Sequence, residues 1–363
     1  VVGFTTTDGT YLQNRLVLEG DMTGPFSANI ILSNPTVDIA VLETARGGLL
    51  RAGLGFDEVD VGVVLNVSDD HLGMRGINTV EQLADVKAVV AAVVKREGHA
   101  VLNADDPLVY RMRDRTPGDL VLFSTRPEGE SEEFENHLSR NGIGARMEND
   151  TFVIRRGKLR IPIAPVREVP LMLGGAAKFQ QENILAAIAT AYVQGMRYDD
   201  IRAGLLSFFP SPSLTPGRLN MMRVPKGRVL VDYAHNPAAI RGLIEYVRNV
   251  DANRRIGVVA APGDRRDEDL RKVGKLAAKL DYVVVKEDGY LRGREPGHVA
   301  ELIVEGLRDG GMRDDQYETI YSEREAIDHA MELMNENDLL VILADDVAGT
   351  LETVRQHSAD GAK

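Results

Sequence analysis

The sequence predicts an α/β protein in two domains, a larger parallel-sheet domain followed by a smaller α/β domain. Three observations carry that expectation. Short runs rich in valine and isoleucine recur along the chain, helical patterns lie between them, and a proline-rich stretch divides the series. Continuous apolar runs of strand length are expected where a sheet is covered on both faces, as parallel sheets are. At 363 residues, one core is too few.

In order, the strands of the first domain are "VDIAVLE" (37–43), "VGVVLNV" (61–67), "HAVLNA" (99–104) and "DLVLFS" (119–124). Thr79 to Gln82 reads as a capping box that opens a helix. With a step of about 100° per residue, Val80, Leu83, Ala84, Val90, Ala91 and Val94 all fall within roughly 60° of Lys87. That places a lysine in the middle of the helix's most apolar face, which is rare without a partner. The polar stretch 126–142 reads as a solvated excursion. "TFVIRR" and "LRIPIAP", joined at Gly157-Lys158, read as a hairpin. "QENILAAIATAYVQG" (181–195) reads as a helix stopped by Gly195. "SFFPSPSLTPG" (207–217) holds three prolines in eleven residues and marks the boundary. The expected organisation is therefore 1–208, a linker 209–217, and 218–363. The second domain's strands are "RVLVDYA" (228–234), "RIGVVAA" (255–261), "DYVVVKE" (281–287) and "DLLVILA" (338–344).

The totals narrow the function. A net charge of −12 without a long basic stripe argues against nucleic acid. No apolar run reaches the ~18 residues of a membrane span. The absence of cysteine excludes disulfides and thiolate metal sites and fits a reducing cytoplasm.

Ligands of open α/β sheets bind outside the carboxyl ends of the strands. Three such ends are unusually polar: "VVGFTTTDG" with Thr6 and Thr7, "VDIAVLETARGG" with Glu43, and "VGVVLNVSDDHLG" with His71. If these strands are neighbours, Glu43 and His71 point into one crevice. A carboxylate, an imidazole and hydroxyls suit a divalent metal carrying nucleotide phosphates, because Mg²⁺ prefers oxygen ligands. In the second domain "GDRRDED" (263–269) and "KEDGYLRGREPG" (286–297) lie at strand ends. There Asp264, Glu287 and Asp288, with Arg265 beside them, are candidates for an amine substrate, since paired carboxylates receive a guanidinium in bidentate fashion. The competing reading is an ordinary acidic loop.

Several stretches together resemble the Mur ligase family, and within it the branch that makes cyanophycin. "NVSDDHLGMRG" is similar to the family's Asn-x-x-x-Asp-His-Leu motif. "TTTDG", "LETARGGLLRAGLGF", "LTPGRLN", "VDYAHNPAAI" and "PGDRRDEDL" extend the likeness from Val1 to about Asp346. The resemblance implies a central Mur ligase-like parallel-sheet domain and a smaller Rossmann-like carboxy-terminal domain. It implies an ATP- and Mg²⁺-dependent ligase that activates a carboxylate as an acyl phosphate and joins an amine to it. In this branch the amine is L-arginine, and the carboxylate is the aspartate side chain of a poly-aspartate primer. By motif match Glu43 and His71 are metal ligands, and Lys87 is the lysine that many members carbamylate. Asn183 is an adenine contact and Arg218 a phosphate contact. Asp232, His235 and Asn236 face the nucleotide. Partners implied are an upstream ATP-grasp domain of the same polypeptide and further copies of the chain.

One part of the pattern is missing. The family's phosphate loop cradles phosphates with backbone N–H groups, a lysine and a threonine. No such stretch occurs in the 363 residues, and "LGGAAKFQQEN" (173–183) lacks the Gly-Lys-Ser/Thr arrangement. Phe179-Gln180 also stands where many members have His-Asn. The expectation is a shortened piece of a longer synthetase, with the loop and its strand upstream. The alternatives are another Mur-type ligase acting on muramyl or folyl substrates, and a non-catalytic binding or assembly module.

Overall fold

The computed structural model describes residues 1–69, 72 and 76–360, the last two by backbone alone. The chain divides into two compact units, Val1–Gly174 with Phe179–Phe208, and Gly175–Lys178 with Phe209–Lys363.

The first unit holds two sheets. In the smaller, β1 (Val2–Thr5), β2 (Gly9–Leu12) and β3 (Arg15–Glu19) form an antiparallel meander that the apolar-run pattern did not reveal. Helix α1 (Pro25–Leu32) leads to β4 (Ile39–Leu42), which pairs parallel with β1. A Cβ on Gly3 would meet Ile31 at 2.8 Å, so α1 lies directly on that face. Helix α2 (Arg46–Ala52) follows β4.

The larger sheet begins with β5 (Val59–Val64). Helices α3 (Val80–Lys87) and α4 (Val89–Ala92) lead to β6 (Val94–Asn103). The capping box at Thr79 is present in full, with Gln82 reaching back. The helix breaks after Lys87, however, and Val94 belongs to the strand. The adjacent β-branched pair Val93-Val94 favours extended backbone at that point. Helix α5 (Pro107–Tyr110) and β7 (Asp119–Ser124) come next, then α6 (Glu132–Ser139) inside the expected solvated excursion. Phe134 and Leu138 of α6, four residues apart, are both buried. Strands β8 (Ile143–Glu148), β9 (Thr151–Arg156) and β10 (Leu159–Pro165) complete the order β10-β9-β8-β7-β6-β5, parallel from β5 to β8 and antiparallel beyond.

Strand alternation sorts the core. Val101, Val121, Phe123, Ala145, Phe152 and Ile154 face α7 (Gln181–Val193) and α8 (Tyr198–Ser207). Ala100, Leu102 and Leu122 face the side of α3, α4 and α6.

The second unit is a single sheet of order β11-β12-β16-β13-β14-β15: β11 (Asn220–Val224), β12 (Gly227–Asp232), β13 (Arg255–Val259), β14 (Tyr282–Val285), β15 (Tyr317–Thr319) and β16 (Asp338–Leu343). All pairings are parallel except that of β11 with β12. Its helices are α9 (Pro237–Arg248), α10 (Asp267–Ala277), α11 (His298–Asp309), α12 (Glu323–Leu333) and α13 (Val347–Asp360). Helices α10 and α11 approach through glycines: a Cβ on Gly274 would sit 2.0 Å from the Ile303 carbonyl, and one on Gly306 2.1 Å from that of Arg271. Among the described residues no helix is long and apolar enough to cross a membrane.

Candidate functional site

In the first unit the register of β1 with β4 sets Thr5 beside Leu42, so the residues that follow each strand leave at the same end. Thr6 Oγ1 accepts from the N–H groups of Asp8 (3.1 Å) and Gly9 (3.2 Å), which fixes the turn. Thr7 then donates its N–H to Glu43 Oε2 and its hydroxyl to Oε1, both at 3.1 Å. Thr6, Thr7 and Glu43 are thus brought together as a group of exposed or half-buried oxygens, the donor type a hard divalent cation takes. His71 lies outside the described residues, and among the described ones no cluster of three or more His, Asp or Glu has metal-binding geometry.

Lys87 stands at the carboxyl end of α3, where a cation is favoured by the helix dipole. Its Nζ donates to the Asn66 carbonyl at 2.9 Å, just beyond β5. Asn66 Nδ2 in turn donates to Glu182 Oε2 at 3.1 Å, in the first turn of α7. Asn183 is next in that turn, exposed, with its Nδ2 donating to Gln180 Oε1 at 2.9 Å. Lys87 and Asn183 are therefore linked through Asn66 and Glu182 around the exit of β5.

In the second unit the turn before β11 is knit by Asn220. Its Oδ1 accepts from Gly217 N, and its Nδ2 donates to the carbonyls of Thr215 and Arg218. Gly217 and Leu219 take left-handed backbone, φ 66° and 51°. Asp232, at the end of β12, accepts from Leu219 N (2.9 Å) and Ala234 N (2.8 Å). Burial pushes its carboxyl above the usual range, while those two N–H groups and the Arg218 guanidinium pull it back. Arg218 lies over the Tyr233 ring, 4.9 Å from its centroid, and His235 meets the same ring edge-on at 5.1 Å. Asn236 caps α9 by accepting from Ala239 N, with Pro237 in the first turn. Arg218, Asp232, His235 and Asn236 thus gather at the positive end of a twelve-residue helix, an arrangement suited to phosphate.

The residues considered for an amine substrate separate. Asp264 is held by two arginines, Arg265 Nη1 on Oδ1 and Arg292 Nη1 on Oδ2, each at 3.1 Å. Glu287 is buried and caps α11, its oxygens accepting from Gly297 N (2.9 Å) and Ala300 N (3.2 Å). Asp288 differs. Its carboxyl is pushed up to about 6, first by burial, with the charges of Asp345 and Glu323 adding to the rise and Lys286 and Arg292 opposing it. Lys286 is fully buried, its Nζ 3.4 Å from Glu323 Oε2 and 3.7 Å from Asp288 Oδ1. Asp345 and Glu323 escaped the sequence reading, although the strand-end rule applied to β16 reaches Asp345 directly.

Comparison with known proteins agrees along the whole chain. Residues 21–191 match the family model of the Mur ligase middle domain, and 217–345 match that of the Mur ligase, glutamate ligase domain. The cyanophycin synthetase of Crocosphaera subtropica is 46% identical over 359 residues, 99% of this chain and 41% of that protein. That of Nostoc sp. is 47% identical over 356 residues, 98% and 39%. The chain therefore spans about two fifths of the length of these relatives. Among solved structures, a bifunctional folylpolyglutamate synthase/dihydrofolate synthase with Mn, AMPPNP and L-glutamate bound superposes with TM-score 0.70. It is 18% identical, and the match covers 98% of this chain and 82% of that one, a likeness of fold.

Proposed function

We infer the function from the family: the chain belongs to the Mur ligases, and the reading its residues support best is the amide-forming half of a longer ATP-dependent ligase. The observation that carries it is the likeness to cyanophycin synthetases along nearly the entire length. In the proposed reaction an aspartate side-chain carboxylate of a poly-aspartate primer takes the γ-phosphoryl group of ATP, releasing ADP. The amine of L-arginine then attacks the acyl carbon, phosphate leaves, and the nitrogen gives up a proton.

The residues divide the work. Glu43, with the hydroxyls of Thr6 and Thr7, has the oxygen donors to hold Mg²⁺, which supplies charge compensation for the transferring phosphoryl group. His71 is proposed as a further ligand. Lys87, aimed at the exit of β5, is proposed as the positioning cation there, and Asn183 as an adenine contact. In the second unit Arg218, Asp232, His235 and Asn236 are proposed to meet the nucleotide. Asp288 is the proposed receiver of the arginine guanidinium, supported by its carboxylate neighbours and by the commitment of Glu287 and Asp264 to other partners. We further propose a boundary at 209–217, an ATP-grasp domain elsewhere in the polypeptide, assembly with further copies, and a cytoplasmic setting.

The test starts with the intact mass of the natural polypeptide, followed by ADP release from it. Release that requires both arginine and a poly-aspartate primer supports the reading. Turnover with muramyl or folyl acceptors instead would move the chain to another ligase branch. Ligand binding without ADP release under any combination, the outcome the missing phosphate-loop motif makes worth testing, would make it a binding module.

A further inference from the structure

A single peptide group stands between Lys87 and Asp106. The carbonyl of Asn66 accepts from Lys87 Nζ at 2.9 Å, and the N–H of Val67, on the same peptide, donates to Asp106 Oδ2 at 2.7 Å. In a trans peptide these two groups point in opposite directions. The ammonium therefore sits at the negative end of the peptide dipole and the carboxylate at its positive end. Opposite charges at the two ends polarise the group and strengthen both hydrogen bonds.

The chain on either side of that peptide is held as well. Asn103, buried at the end of β6, donates from Nδ2 to the Leu65 carbonyl at 2.9 Å, and its own Oδ1 accepts from Asp105 N at 2.9 Å. Asn66 Nδ2 donates to Glu182 at 3.1 Å. Side chains from β6, the turn after it, α3 and α7 thus converge on residues 65–67, at the exit of β5. Asp106 divides its two oxygens between two tasks. Oδ1 caps α5, accepting from Leu108 N (2.9 Å) and Val109 N (3.2 Å), and Oδ2 receives Val67 N. Capping alone needs one oxygen and no charge, since asparagine and serine cap as well as aspartate does. Lys87 supplies the reason for the charge. Fixing its long stem costs rotamer freedom, which a polarised carbonyl offsets better than an ordinary one.

We propose that Asp106 is the positioning residue for Lys87, acting through the Asn66–Val67 peptide to hold the ammonium at the exit of β5; what Lys87 does there rests on the ligase reading. The test uses the full natural polypeptide. Asp106→Asn keeps the size and a capping oxygen but removes the charge. In carbonate-free buffer at neutral pH its Lys87 is expected to take an amine-reactive label about threefold faster or more than in the wild type, because the ammonium has lost its counter-charge. Peptide mass mapping reads the rate at that residue. Asp119→Asn, an exposed acid at the amino end of β7, leaves the rate unchanged. Should Asp106→Asn fail to fold, Asp106→Ser, which caps a helix but carries no charge, is labelled with the same expectation. Arginine-dependent ADP release is expected to fall about tenfold in kcat, with KM for arginine within about twofold, since the charge acts on Lys87 and not on the amine. A wild-type labelling rate in the folded variants overturns the proposal whatever the change in Tm, because a cap alone would give that result. Faster labelling with kcat unchanged overturns it too. Faster labelling in a polypeptide whose wild type releases no ADP with arginine rejects the ligase reading and leaves the bridge standing.

Discussion

Asp288 illustrates what neighbouring residues decide. Glu287 and Asp288 are adjacent acids at one strand end, and nothing in their order says which becomes a helix cap. The structure gives the cap to Glu287 and leaves Asp288 among Lys286, Glu323 and Asp345. The carboxyl of Asp288, pushed up to about 6, is harder to ionise in the folded chain than in the unfolded one, where about 3.9 is usual. Its contribution to stability is therefore fully present below about pH 4 and lost as pH rises through 6. Asp288→Asn, of the same size and uncharged, is expected to match the wild type in Tm near pH 4 and exceed it above pH 6. The ceiling is on the order of 3 kcal/mol. Thermal melts at several pH values check this, and a difference independent of pH would refute the burial argument. Glu43 is the opposite case, legible because a carboxylate that directly follows an apolar strand lies at its carboxyl end whatever the packing. It is exposed, and among the described residues its carboxylate bonds to Thr7, so Glu43→Ala is expected to leave Tm within a few degrees. The same variant in the full natural polypeptide is expected to lower ADP release by roughly 10²-fold or more, if it holds the metal as proposed.

At the scale of elements, strands such as β5, β7, β13, β14 and β16 were legible because each holds a continuous apolar run. The hairpin of β9 and β10 was legible because Gly157 punctuates it at φ 53°, whereas β8, β11 and β15 are too short or too polar to stand out. The meander β2–β3 was not legible, since its apolar stretches, Tyr11-Leu12 and Leu16 to Leu18, are short and set among polar residues. Helix α6 was hidden differently. Its first turn is three glutamates, Glu132, Glu133 and Glu135, which read as solvated charge but suit a helix amino terminus. The apolar signal is reduced to Phe134 and Leu138, one turn apart. Phe134 is fully buried, and a Cβ on Gly144 would come within 2.6 Å of its ring, so the glycine is the floor on which the ring lies. Phe134→Ala is accordingly expected to cost about 3–5 kcal/mol in denaturant unfolding. A loss below 1 kcal/mol would mean that α6 is a peripheral attachment. The capping box at Thr79 is the converse, two side chains that announce a helix start in sequence and form it in the structure.

For the whole molecule, the register of the smaller sheet has a consequence in solution. Gly3 and its neighbours on that side lie under α1, but Val2 pairs with Ile39 and Phe4 with both Val41 and Tyr11, placing all five on the other face. That face is bare: Val2 is 39%, Ile39 50% and Val41 57% exposed. Only Phe4 and Tyr11 cover one another, stacked at 4.7 Å. Among the described residues β4 and β5 are also each the last strand of their sheet, so each presents one edge that no described strand pairs. A contiguous apolar face beside an open parallel edge promotes association, and natural proteins blunt such places with lysine. The net charge of −12 opposes association at long range without covering this face. The chain by itself is therefore expected to self-associate as concentration rises. Val41→Lys, at a site already exposed, is expected to cost under about 0.5 kcal/mol of stability and to shift the population toward monomer. Sedimentation velocity across a concentration series measures both. A wild type that stays monomeric at every concentration would mean that the bare face is inert, and an unchanged distribution for Val41→Lys would place the contact elsewhere. The sequence could not announce this face, because Ile39 and Val41 belong to a run that reads as strand buried on both sides, and only the pairing of β4 with β1 alone reveals that one side is uncovered.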